Sequence, residues 1–110
     1  MSVNAILKSA LESIAPVEAD TYEGDRERYI TIAYNTIPVN FGDDEPEHEK
    51  FLIAVHYFAP IGYNSTKDRA EVKKALVSAG TTWPSLTNIS DKFGQHLVFE
   101  CELVREAGVE

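Results

Sequence analysis

Val3, Ile6, Leu7, Ala10, Leu11 and Ile14 recur at intervals of three and four residues, the spacing that lines one face of a helix, with Lys8, Glu12 and Ser13 elsewhere around it. This predicts a helix over residues 3–14, ended by Pro16, whose ring pushes the preceding residue out of the α region. Residues 17–28 are polar, carry Gly24 and read as a connecting loop. From Arg28 to Asn40 no helical stripe can be drawn, and Tyr29, Ile30, Thr31, Ile32, Ala33 and Tyr34 have strand chemistry. The end of this strand is expected at Pro38, which cannot donate to a central ladder. A second strand covers residues 51–58. Phe51, Ile53, Val55 and Tyr57 share one of its faces, and the other, Leu52, Ala54, His56 and Phe58, is hardly less apolar. Either the strand is central, or helices cover one face and a partner the other.

Between these strands, residues 41–50 combine Gly42 and Pro46 with Asp43, Asp44, Glu45, Glu47 and Glu49, which predicts an exposed excursion joining antiparallel strands. Ser65 followed three residues later by Asp68 reads as a short capping box opening a second helix that runs to about Ala79 and is closed by Gly80. Val72, Leu76 and Ala79, helped by Ala75, form its buried stripe, and Lys67, Arg69, Lys73 and Lys74 face water. Further on, Trp83-Pro84 is a rigid bend, residues 86–89 suit a short strand and Phe93-Gly94 a turn. In the last strand, residues 97–104, Leu97, Phe99, Cys101 and Leu103 alternate with Glu100 and Glu102. The expected fold is α+β: an antiparallel or mixed sheet of three to four strands with two helices packed on it, in the order α-β-β-α-(β)-β. It forms a single domain over residues 1–110, with 106–110 as a frayed tail. Leu7, Leu11, Val55, Leu76, Phe99 and Leu103 are its predicted core.

A length of 110 residues suits one hydrophobic core and leaves no room for separate cofactor and substrate domains. A net charge of −8 argues against direct binding to nucleic acid or to an anionic membrane. The charge is unevenly spread: residues 1–55 carry eleven carboxylates and four basic groups, residues 56–110 seven and six. One cysteine, Cys101, cannot make an internal disulfide, and no Cys/His cluster has zinc-site spacing. With no basic, apolar leader at its start and no long apolar run, the sequence predicts a cytosolic protein.

Catalytic landmarks are missing from the sequence: it has no nucleophile elbow, no P-loop and no Gly-x-Gly-x-x-Gly turn. Cys101 falls in a strand's apolar register and is assigned to packing. Asp43, Asp44, Glu45, Glu47, His48 and Glu49 hold enough oxygen for a hard cation, but their spacing is not that of an EF-hand, and a solvated or docking acidic loop is the reading taken. His56 is expected to be a hydrogen-bonded structural histidine and His96 an exposed one. Trp83 is either a core filler or an anchor for a partner. The expectation is therefore a protein that binds other proteins, with no catalytic residues, cofactor or metal. Its expected assembly surface is Asp43, Asp44, Glu45, Glu47, Glu49, Lys67, Arg69, Lys73, Lys74 and Trp83.

The order of a short N-terminal helix, Tyr29-Ile30-Thr31-Ile32 in a first strand, Pro38 and then Asp43-Asp44-Glu45, an apolar second strand, a Lys-rich helix ending at Ala79-Gly80, and a last strand opened by His96 resembles the tail-completion and tail-terminator proteins of long-tailed bacteriophages. Thr81 and Thr82 depart from the pattern, where an aromatic would directly follow the glycine. The resemblance implies a virion structural protein that caps the head-proximal end of the tail tube as a ring of six subunits. Such a ring stops tube growth and offers a docking surface to the head. Its partners would be further copies of itself, the major tail tube protein and a head-tail connector protein. It would be found in the host bacterial cytoplasm during assembly and then in the virion tail. The runner-up class is a small acidic adaptor or inhibitor that occupies a partner's basic surface, and a third, poorer one is a small metal-dependent hydrolase built on the loop at 43–49.

Overall fold

A computed structural model of the protein describes residues 2–19, 27–42 and 45–106. Helix α1, Val3–Leu11, begins where Ser2 stands just ahead of the apolar stripe, and the Ser2 hydroxyl accepts a 3.1 Å hydrogen bond from the Ala5 N–H. The helix is three residues shorter than its apolar spacing predicts. The N–H groups of Ile14 and Ala15 both bond to the Leu11 carbonyl, so residues 12–14 form a turn that still buries Ile14.

The expected loop at 17–28 instead begins with a strand, β1, Val17–Ala19, which pairs in parallel with Ile30–Ile32 of β2, Tyr29–Gly42. Three residues are too few to show a period in sequence. β2 passes through Pro38 without ending there. β1 flanks it only as far as Ile32, so beyond that point it has a described neighbour on one side only, where a missing N–H is tolerated. β3, Glu45–Ala59, pairs antiparallel with β2 from Gly42↔Glu45 to Tyr29↔Phe58, so the predicted excursion is mostly the far end of a hairpin. Asp43 and Asp44 lie outside the described residues.

Helix α2, Thr66–Ser78, closes as its sequence predicts: Gly80 takes φ 105°, the Gly80 N–H reaches the Val77 carbonyl and the Thr81 N–H the Leu76 carbonyl. Its start differs from the prediction. Ser65 makes no side-chain cap, and its hydroxyl donates to Gln95 Oε1 at 2.7 Å, while Asp68 turns inward. β4, Ser85–Asn88, and β5, Gln95–Glu106, form the last hairpin through a turn at 91–94. Glu106, placed by sequence in a frayed tail, still belongs to β5; residues 107–110 lie outside the described residues.

The fold is α+β, with a mixed sheet of five strands in the order β1-β2-β3-β5-β4 in place of the three or four expected. One sheet face carries Ile30, Ile32, Phe51, Ile53, Val55, Tyr57, Leu97, Phe99, Cys101 and Leu103, which join Val3, Leu7 and Leu11 of α1 and Val72 and Leu76 of α2 in a single core. All six residues predicted from sequence as core are in it.

Candidate functional site

Strand alternation places every second residue of the central strands away from the helices, and no described helix or strand covers that second face. Across β2, β3 and β5 it presents Ala33, Ile37, Leu52, Ala54, Phe58, Val98 and Val104 among the polar Thr31, Asn35, Lys50, His56, Glu100 and Glu102. Ile37 and Val104 are 43% and 51% exposed, while Leu52, Ala54 and Val98 are half-buried by their neighbours. A shallow trough of about 510 Å³ runs over this face between Asn35, Leu52 and Ala54 on one side and Trp83 and Ser85 on the other, with Glu100 and Glu102 along it. The Trp83 side chain is 68% exposed, so it is no core filler. Its position follows from Thr82, whose N–H donates to the Glu102 carbonyl and whose hydroxyl accepts from the Glu102 N–H, both at 2.9 Å. These bonds tie the loop after α2 to β5 and set the indole beside the trough.

The β2–β3 hairpin gives the molecule its length of 54 Å against widths of 24 and 22 Å. α2 ends where Gly80 meets Leu103, which pairs with Phe51, so residues 37–42 and 45–50 extend past the helix. At 3.3 Å per residue that extension is about 20 Å. β5 accompanies it on one side as far as His48↔Glu106, and Lys50 meets Glu102 at 3.4 Å. From Ala33 onward the other edge of β2 has no described strand against it. An edge that offers unpaired N–H and C=O groups is a template for another strand.

At the opposite end of the open face Tyr29, Phe58 and His96 stand in register on β2, β3 and β5 and stack ring on ring, with centroids 4.7 and 4.3 Å apart. His56 Nδ1 and His96 Nε2 are 2.8 Å apart and share a hydrogen bond, so His96, expected to be exposed, is half-buried and paired. Burial lowers the His96 pKa, as does the charge of His56, against an opposing pull from Asp91. The signal for this cluster was absent from the sequence because it depends on the β3–β5 register.

Beneath the sheet, on its helix side, Asp68 accepts from the Tyr57 hydroxyl and from Arg28 Nε at 2.9 Å, and Arg28 lies 5.1 Å from the Tyr63 ring centroid. Burial, then donation to Asp68, pushes the Tyr57 phenol well above its ordinary value. For Arg28 burial acts downward, but its bonds to Tyr57 and Asp68 outweigh it and the net shift is upward. Gln95 receives Ser65 and donates to the carbonyls of Pro60 and Tyr63. These contacts clamp the start of α2 and the turn before it to β3 and β5. Cys101 is buried, and that burial raises its thiol pKa.

Glu45, Glu47 and Glu49 lie on the projecting strand, whereas α2 starts beside Tyr57 and Gln95 at the other end of the sheet. α2 ends where Gly80 meets Leu103, so its start is far from the acidic segment and its end lies at that segment's base. Lys67 and Lys74 are exposed, with Lys67 3.7 Å from Glu71; Lys73 and Arg69 are half-buried, and Arg69 donates to the Ser65 hydroxyl. Among the described residues no three His, Cys, Asp or Glu side chains are grouped to hold a metal, and no helix is long and apolar enough to cross a membrane. The sequence matches no protein-family model and no curated protein.

Proposed function

We propose that the chain is a structural subunit that assembles through its open sheet face and its projecting hairpin, as a ring capping the head-proximal end of the tail tube of a long-tailed bacteriophage. The observation that carries the assembly reading is the hairpin, about 20 Å of paired strand that runs past the end of α2 and has no described strand against the outer edge of β2. The phage assignment rests on the resemblance in element order described above. A ring of identical subunits needs two unlike patches on each copy. The hairpin, with Glu45, Glu47 and Glu49 beside Asp43 and Asp44 in sequence, supplies an acidic one. α2, with exposed Lys67 and Lys74 and half-buried Arg69 and Lys73, supplies the other. Exposed ion pairs contribute only about 0–1 kcal/mol each, so the isolated chain is expected to stay monomeric until the tube protein acts as template.

Electron microscopy of tail tubes grown with and without the purified chain tests this reading. Tubes of uniform length closed by a ring are expected with the parent protein, and overlong, uncapped tubes with a variant carrying lysine in place of Asp43, Asp44, Glu45 and Glu47. Capping by that variant would exclude the hairpin surface. A tight one-to-one complex with a soluble basic protein and no binding to tubes would instead support the adaptor class.

A further inference from the structure

At the histidine end of the open face lies a cavity of about 270 Å³ that none of the contacts described so far explains. Its wall is the ring stack, here Tyr29, Phe58 and His96, and its rim carries Glu27, Asp91 and Phe93. We propose that this cavity receives the arginine side chain of a partner protein.

The charged side chains among its described lining residues are carboxylates. Glu27 and Asp91 are both exposed carboxylates, and among the described residues no lysine or arginine lines the cavity. Burial and the nearby His56 hold His96 toward its neutral form, so the imidazole does not cancel them. Its aromatic rim is built. Phe93 is 84% exposed, and it is held up by the turn: the Asp91 N–H and the Gly94 N–H each bond to the other residue's carbonyl, and Asp91 Oδ1 accepts from the Phe93 N–H at 2.8 Å. A phenyl ring in water contributes nothing to the core, whereas beside two carboxylates it completes a seat for a cation. Lys92, which does not line the cavity, places its ammonium 5.2 Å from the Phe93 centroid, so a cation already settles on this ring. The volume suits one long side chain and falls below the roughly 300–1,000 Å³ of pockets that enclose small-molecule ligands. Between arginine and lysine the geometry favours arginine. Its flat guanidinium lies against aromatic rings and directs separate N–H groups to two carboxylates, while a lysine ammonium stays more strongly hydrated.

The test is titration of the full chain with N-acetyl-arginine amide, followed by amide chemical shifts, with the citrulline and lysine analogues in parallel. Saturable shifts confined to residues 27–29, 58 and 91–96 are expected for arginine, weaker ones for lysine and none for the neutral citrulline. Glu27→Gln with Asp91→Asn, a pair that removes both charges but keeps a side-chain carbonyl to accept the turn's N–H, should weaken binding by about tenfold. Phe93→Ala, at a side chain that packs against no core, should weaken it several-fold. Equal shifts from citrulline, or arginine shifts centred on residues 45–50, would overturn the proposal. The titration uses the isolated chain, so its failure is distinct from a failure to cap tubes.

Discussion

The two faces of β3 differ far less in composition than in surroundings. Phe51, Ile53, Val55 and Tyr57 are at most 2% exposed beneath the helices, whereas Leu52, Ala54, His56 and Phe58, between the same neighbouring strands, are half-buried with no described element above them. Folding alone accounts for the first set, because burying each large apolar side chain contributes about 1.5–3 kcal/mol. It does not account for the second. Apolar side chains left open among polar ones on a sheet face are either a liability or part of a surface for association.

The sharpest way to break this contrast is truncation on the covered face. Phe99→Ala and Leu76→Ala should each cost about 3–5 kcal/mol in urea unfolding, since both side chains are fully buried. Parent-like melting of either variant would mean that α2 does not seal that face. Next in size is Asp68→Ala, which leaves the buried Tyr57 hydroxyl and the partly exposed Arg28 without their acceptor. A loss of about 2–3 kcal/mol is expected, and about 1 kcal/mol for Tyr57→Phe, measured the same way. On the open face Leu52→Ser with Val98→Thr should change stability by about 1 kcal/mol or less while abolishing capping of tail tubes. A large loss of stability would place that face in the folding core.

The smallest effect belongs to His96. Its folded pKa lies below the ordinary 6.5, so as pH falls through that value the unfolded chain takes up the proton first. Stability that depends on a neutral His96 is therefore present above the unfolded pKa and lost as pH falls toward the folded one. Melting temperature should fall between about pH 7.5 and 5.5, and His96→Gln should flatten that slope relative to the parent. An identical slope in the variant would remove His96 from the account.

Sequence was a good guide where one periodicity dominates. The stripe of Val72 and Leu76, the Gly80 stop and the alternation of Leu97, Phe99, Cys101 and Leu103 are all found in the structure. It failed where a local signal competed with pairing. Pro38 and the carboxylates of 45–49 look like a loop in isolation, but thirteen matched positions between β2 and β3 hold the backbone extended, and an edge with no described strand against it accommodates the proline. Ser65 and Asp68 look like a capping box, yet Tyr57 and Arg28 offer Asp68 charge-assisted bonds that the helix terminus cannot match. The rim of Glu27, Asp91 and Phe93 was not legible at all, because those residues meet only once β2, β3 and β5 are paired in register.

The central claim, that the open face and the projecting hairpin are where the chain associates, is tested most directly by amide hydrogen exchange on the free chain and on the chain bound to purified tail tubes. The account predicts new protection along the outer edge of β2, residues 33–42, and along residues 50–58 and 98–104, with residues 3–11 and 66–78 changed only where the basic surface of α2 meets a neighbouring hairpin. Protection confined to α1 and α2, with the β2 edge exchanging as fast as in the free chain, would contradict it.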